Sequence, residues 1–292
     1  MDWTFERVAG PFTLAEGPVW DGTGLLFTDI NASRILRYDP VTGQCSVYRT
    51  GTHETNGLFL DQFGYLYACE GGGRRITRYG PAGSVTVLAD QFEGKRLNSP
   101  NDIAVDSRGR VWFTDPRYGD KTDDLELGHD SVYRLDPAPD GQWAIRRMTF
   151  DTTKPNGLIL SPDEKTLYVA QSHYGAGNQR ELRAYPIRDD DTLGPYEVLH
   201  NFYPHRGIDG MTLDADGNIV ATAGWRQSGP GPMIYVFAPN GRVLETHPVP
   251  EDRPTNCAFG DADMQTLYVT TIEGWLLRAR TDRRGVITGK MR

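Results

Sequence analysis

The chain has 292 residues, 38% of them hydrophobic and 24% charged, the balance of a folded soluble protein rather than a disordered one. Its 31 Lys and Arg stand against 39 Asp and Glu, a formal charge of −8, which argues against a nucleic-acid binder because such proteins need a basic footprint for phosphate. The 33 Gly and 19 Pro call for many short turns. No basic start leads into an apolar run at residues 1–10, and no stretch approaches the length of a membrane span, so a cytoplasmic protein with no membrane partner is expected. Cys45, Cys69 and Cys257 are odd in number, far apart and lack C-x-x-C spacing, which reads as three free thiols, two of them in strands.

In chain order, a short N-terminal stretch, residues 4–9, precedes six segments that resemble one another. They begin at Glu16, Asn56, Asn101, Asn156, Asp209 and Asn256, with spacings of 40, 45, 55, 53 and 47 residues. Each opens on a polar residue, continues with alternating apolar positions, turns through Asp, Ser or Gly, and returns as a second apolar strand. A third strand starts at Arg34, Arg75, Ser131, Leu182, Met233 and Trp275, and most repeats add a fourth, such as those from Ser46 and Val85. Four antiparallel strands repeated six times predict an all-β, six-bladed β-propeller spanning 1–292 as one domain. Helical periodicity is nearly absent, which excludes a helical solenoid, and the WD signature is missing. Residues 4–9 are expected to complete blade six, with 285–288 as competitors for the same edge.

The six leading residues start the innermost strands, so they are expected to ring the central channel near one mouth. Two carboxylates and four amides are the donors of a hard cation, and Ca²⁺ takes six to eight oxygen ligands. The alternative is that Asn-Gly and Asp-Gly pairs merely favour turns, but a glutamate with no turn preference shares the register. Zinc fits poorly, because no His or Cys holds these positions. Mg²⁺ prefers small octahedral sites. Chain length varies in the connections at the ring's mouth: 93–100, with Arg96 and Asn98; 116–130, with Tyr118 and His129; 171–181, with His173; and 223–232, with Trp225. Loops bunched over one mouth of a rigid scaffold suit a substrate pocket, and their cationic and aromatic side chains suit a polar, oxygen-rich ligand, anionic ones included. Arg96 and Asn98, just before Asn101, are the first candidates for substrate contacts.

Several motifs carry a resemblance over essentially the whole chain: Ala15-Glu16-Gly17-Pro18-Val19-Trp20, Arg96-Leu97-Asn98-Ser99-Pro100-Asn101-Asp102, Phe113-Thr114-Asp115-Pro116, Pro155-Asn156-Gly157-Leu158 and Asp209-Gly210-Met211. They resemble the SMP-30/gluconolactonase/luciferin-regenerating enzyme-like family, whose members are six-bladed propellers with a divalent metal in the channel, usually Ca²⁺, and are often sugar-lactone hydrolases. The resemblance implies metal ligands at Glu16, Asn156 and Asp209, with Asn101 as a fourth ligand or a substrate contact. It also implies Asp209 as the active-site aspartate and Arg96 with Asn98 or Asn101 as substrate contacts; Asn56 and Asn256, which the resemblance does not assign, are expected from their ring positions to support the ligands from behind. The activity expected is metal-assisted hydrolysis of a sugar lactone or related small lactone, with Ca²⁺ ahead of Zn²⁺, Mn²⁺ and Mg²⁺, and Asp209 assisting water attack. No G-x-S-x-G occurs, which disfavours a serine hydrolase. Phosphotriester or aryl-ester hydrolysis on the same site, or a non-catalytic calcium-binding or interaction propeller, are the alternatives. Oligomeric state is left open.

Overall fold

The computed structural model describes residues 2–119 and 121–286. The described residues form six four-stranded antiparallel sheets and one short hairpin, Gln91–Phe92 with Lys95–Arg96. The innermost strands are Ala15–Trp20, Thr55–Leu60, Ile103–Val105, Pro155–Leu160, Ile208–Leu213 and Pro254–Gly260. Each packs against the next around the ring, and the first packs against the sixth. The result is the expected six-bladed propeller with four antiparallel strands per blade.

Burial falls from the axis outward, as the alternation of apolar and polar residues demands. Every residue of Ala15–Trp20 is buried, whereas most of the outer strand Gln44–Thr50 is exposed. The core lies between blades: Val19, Leu26 and Ile35 of blade one meet Leu58, Leu66 and Tyr79 of blade two. All three cysteines are unpaired and lie in strands, one more than the sequence pattern indicated.

Blade six has three strands from the C-terminal part of the chain and takes its outer strand, Glu6–Ala9, from the N-terminus. Glu6 pairs with Arg278 and Arg7 with Leu277. Trp3 stacks on His247 at 3.9 Å and donates to Asp282. The competing tail goes elsewhere. Gly285 bridges to Asp214 of blade five, and Ala215 N–H donates to the Arg284 carbonyl at 2.6 Å. Residues 287 and 288 lie outside the described residues.

The polar-Gly pairs are not turns. They lie inside the inner strands, where the pairing register slips between Glu16 and Val19, Thr55 and Leu58, Pro155 and Leu158, and Ile208 and Met211. These bulges turn each leading polar side chain toward the channel. Glycine follows because neighbouring inner strands nearly touch there. Gly57 N–H donates to the Asn101 carbonyl at 2.7 Å. A Cβ at Gly157 would lie 2.5 Å from the Asp209 carbonyl oxygen. Gly157→Ala is therefore expected to overpack the ring and lower stability by about 1–3 kcal/mol, read as a lower urea midpoint at unchanged m-value. A midpoint equal to the parent's would show that the ring yields at this contact.

Candidate active site

Four inner strands carry Glu16, Asn56, Asn156 and Asp209, and Asn101, expected to start a strand, lies two residues before Ile103–Val105 instead; all five line one cavity of about 350 Å³. Second-strand threonines hold the neighbouring ring backbones. Thr28 Oγ1 donates to the Asn56 carbonyl at 3.1 Å, and Thr222 Oγ1 donates to the Thr255 carbonyl at 2.8 Å. The ring positions are thus fixed between blades as well as within them.

The sixth ring residue is placed differently. Asn256 lines a separate apolar cavity lower in the channel, and from there its Nδ2 donates to Glu16 Oε2 at 3.2 Å. Glu16 also accepts the Gly17 N–H, and among the described residues it meets no cationic side chain. Burial, with Asp209 and then Asp102 repelling it, holds the Glu16 carboxyl well above the usual carboxylate range. Asp209 is raised by burial too, but Arg206 and Asn156 oppose the rise. Arg206 Nη2 donates to Asp209 Oδ2, and Arg206 Nη1 donates to the Gly224 and Pro254 carbonyls at 3.2 and 3.1 Å. Asn156 lies beside both Asp209 and the Tyr118 phenol and favours the charged form of each, while the Tyr118 hydroxyl donates to the Lys154 and Ser172 carbonyls at 3.4 Å.

Above the ring the two sides of the cavity differ. Tyr118 and Tyr174 stand 6.3 Å apart by ring centroid on the side of blades three and four, with Trp225 beside them on blade five. Leu14, Ile30 and Ile272 line the side of blades one and six. Arg180 and Arg253 complete the lining, and both are held by their surroundings: Arg180 by the carbonyls of the 171–181 and 203–205 segments, Arg253 by Glu273 at 2.6 Å.

Of the six residues expected to contact substrate besides Asn101, two line this cavity, Tyr118 and Trp225. The other four are placed elsewhere. Arg96 sits on the short hairpin, half-exposed and ion-paired with Glu126. Asn98 is fully buried, and its Nδ2 donates to the Asp115 and His129 carbonyls and to Asp130 Oδ1. His129 packs among Phe92 and Tyr133 beside the Ser131 hydroxyl, and His173 Nδ1 lies 3.2 Å from Thr153 Oγ1. Each is taken up by partners that join loop segments to one another.

Sequence reasoning missed three features. Arg206 lies in the connection entering blade five, and its position three residues before Asp209 was a usable signal. The aliphatic side of Leu14, Ile30 and Ile272 carried no chemical signal. Asp102 stands where four other repeats have glycine, and that substitution was visible. Burial pushes its carboxyl up to about 7, while Ile103 and Leu158 N–H groups donate to it. Among the described residues no three His, Cys, Asp or Glu side chains gather at one point, so any cation site here must draw on amide oxygens.

Comparison with known proteins places this geometry. Residues 14–273 match the family model described as the SMP-30/Gluconolactonase/LRE-like region. A gluconolactonase of Zymomonas mobilis is 32% identical over 94% of this chain and 81% of its own length. A pentonolactonase of Haloferax volcanii is 31% identical over 89% and 82%. A solved structure of a gluconolactonase from Xanthomonas campestris superposes with a TM-score of 0.81 at 34% identity, covering 95% of this chain and 89% of that one. The match to the family model spans the inner strands of all six blades, so the chain belongs to the SMP-30/gluconolactonase/LRE-like family.

Proposed function

We infer that this chain is a lactonase, a hydrolase of cyclic carboxylic esters, working as one propeller domain over 1–292. The observation that carries the reading is the pair of buried carboxylates, Glu16 and Asp209, lining one cavity with a guanidinium on only one of them. Family membership and the activities named for the gluconolactonase and pentonolactonase relatives point the same way.

The donor set fits a divalent cation. Glu16 is buried without a cationic partner, and a buried carboxylate needs a counter-charge or a proton. Asn101 and Asn156 line the same cavity, and an amide carbonyl oxygen is a neutral donor that such an ion accepts. Glu16, Asn101, Asn156 and Asp209 would hold the cation, Ca²⁺ ahead of Zn²⁺, Mn²⁺ and Mg²⁺ because all four donors are oxygens. When bound, such an ion supplies positive charge at the ester carbonyl.

The protein's own groups do the rest. Arg206 fixes Asp209 by its Oδ2. Asp209, raised by burial, is the stronger base for it and takes a proton from the attacking water. Water oxygen bonds to the carbonyl carbon, the ring C–O bond breaks, and the leaving alkoxide receives the proton held by Asp209. The product is a hydroxy acid. Tyr118 and Trp225 flank the substrate, and Asn256 steadies Glu16 from below.

A pH-indicator assay over γ- and δ-lactones, aryl esters and phosphotriesters tests the reaction class; turnover confined to non-lactone esters would remove the reading. Chelation tests the ion. Activity should fall and return on add-back of a fitting cation. At 100 times its dissociation constant, the ion should also stabilise the fold by about 2.7 kcal/mol, seen as a higher thermal midpoint. Activity and midpoint both indifferent to chelator would exclude the cation.

A further inference from the structure

We propose that the lactone taken by this cavity is uncharged and carries a deoxygenated edge, a methyl or methylene, that packs on Leu14, Ile30 and Ile272. The proposal rests on the lactonase reading and adds the substrate class.

Two observations carry it. The first is how the cavity's polarity is distributed. Its floor is the polar ring, and the phenols of Tyr118 and Tyr174 stand on the side of blades three and four. Trp225 Nε1 already donates to Ser228 Oγ at 2.6 Å, and Thr255 Oγ1 donates to the Ala15 carbonyl at 2.8 Å. Across the cavity, Leu14, Ile30 and Ile272 are half-buried aliphatic side chains with nothing to offer a hydroxyl. The three are held together by the backbone, since Ile30 N–H donates to the Leu14 carbonyl at 3.0 Å and Phe12 N–H to the Gly274 carbonyl at 2.7 Å. An ester seated on the floor therefore has one edge facing hydrogen-bonding groups and the other facing hydrocarbon, with Arg253, already held by Glu273, as the one polar side chain lining the cavity beside Ile272. A hydroxyl on that second edge would lose water and gain no partner.

The second observation is the state of the cations. Arg206 is paired with Asp209, Arg253 with Glu273, and Arg180 is enclosed by backbone carbonyls at 2.6–3.3 Å. An anionic substituent on the substrate would meet guanidiniums already matched, beside two carboxylates. Bidentate recognition of a phosphate, sulfonate or carboxylate needs a guanidinium whose charge and fork are both unclaimed, and Arg206 and Arg253 each already hold a carboxylate while Arg180 is held by carbonyls.

The test is a matched series of six-carbon aldonolactones that differ only at the terminal carbon: methyl, hydroxymethyl or carboxylate. The methyl lactone should show kcat/KM roughly 10- to 100-fold above the hydroxymethyl lactone, the range by which a hydrophobic pocket rejects an added hydroxyl. The carboxylate lactone should be the poorest of the three. Ile272→Ser should narrow the methyl-to-hydroxymethyl ratio, a readout that a general loss of activity would not move. Equal rates for methyl and hydroxymethyl, or preference for the carboxylate, would overturn the proposal while leaving the lactonase reading intact. No turnover of any lactone would instead remove that reading and this proposal with it.

Discussion

Asp209→Asn should lower kcat for lactone hydrolysis by about 10²–10⁴-fold, the range supplied by a positioned proton acceptor. The asparagine keeps the size of the side chain and a carbonyl oxygen for Arg206, so the fold should survive with a urea midpoint near the parent's. The change also removes one of two repelling buried carboxylates, since Asp209 is the largest charged influence on Glu16. Relief of that repulsion offsets part of the weakened contact to Arg206. A kcat within a few-fold of the parent's would dismiss Asp209 as the proton acceptor. Loss of folding would show that its charge is structural. Steady-state kinetics and urea denaturation on the same preparation separate the two outcomes.

Arg206→Met should act on both stability and rate. The pair is buried, with 5% of the Arg206 side chain and 12% of the Asp209 side chain exposed, so solvent screens it little. Removing one partner of a buried ion pair costs about 3–5 kcal/mol, because the other charge stays buried without its match. The rate should fall as well, since Asp209 Oδ2 loses the donor that orients it. The decisive comparison is the double variant Arg206→Met with Asp209→Asn. It should be more stable than Arg206→Met alone, since no carboxylate is left unmatched beside Glu16, and coupling between contacting residues of this kind is typically 0.5–3 kcal/mol. A double variant destabilised by the sum of the two single changes would mean that the contact carries no coupling. Saturation with a divalent cation should narrow the stability gap between Arg206→Met and the parent, because the ion supplies Asp209 with another positive partner.

Much of the molecule was legible from local pattern. Period-two alternation, six turn clusters and polar leading residues are properties of contiguous residues, and they yielded the blade count and the strands per blade. Five of the six leading residues do line one cavity. The pattern also held the clue to the bulges, since a polar residue followed by glycine recurs in the same register at Glu16, Asn56, Asn156 and Asp209. Its meaning as close approach rather than turn was not local. It depends on the next blade's carbonyl, as at Gly17 against Asn56 and Gly157 against Asp209.

The loops were least legible. Arg96 looked poised over the ring by spacing, yet its guanidinium goes to Glu126, thirty residues on. Asn98 is drawn into contacts with His129 and Asp130. A loop side chain settles on whichever distant partner best satisfies it, and sequence spacing does not name that partner. Arg206 shows the reverse case. It lay in an unremarkable connection, and its importance came from the carbonyls of Gly224 and Pro254 on neighbouring segments that fix it against Asp209.

By itself, then, the sequence determined that this protein is a ring of six β-blades with acids and amides around its axis, because alternation and repeat length act between near neighbours. Tertiary structure alone decided which side chains share the cavity, that Glu16 lacks a cation while Asp209 has one, and that one side of the site is hydrocarbon. Those outcomes depend on contacts between blades far apart in the chain, where burial removes the solvent that would otherwise level the differences between charges.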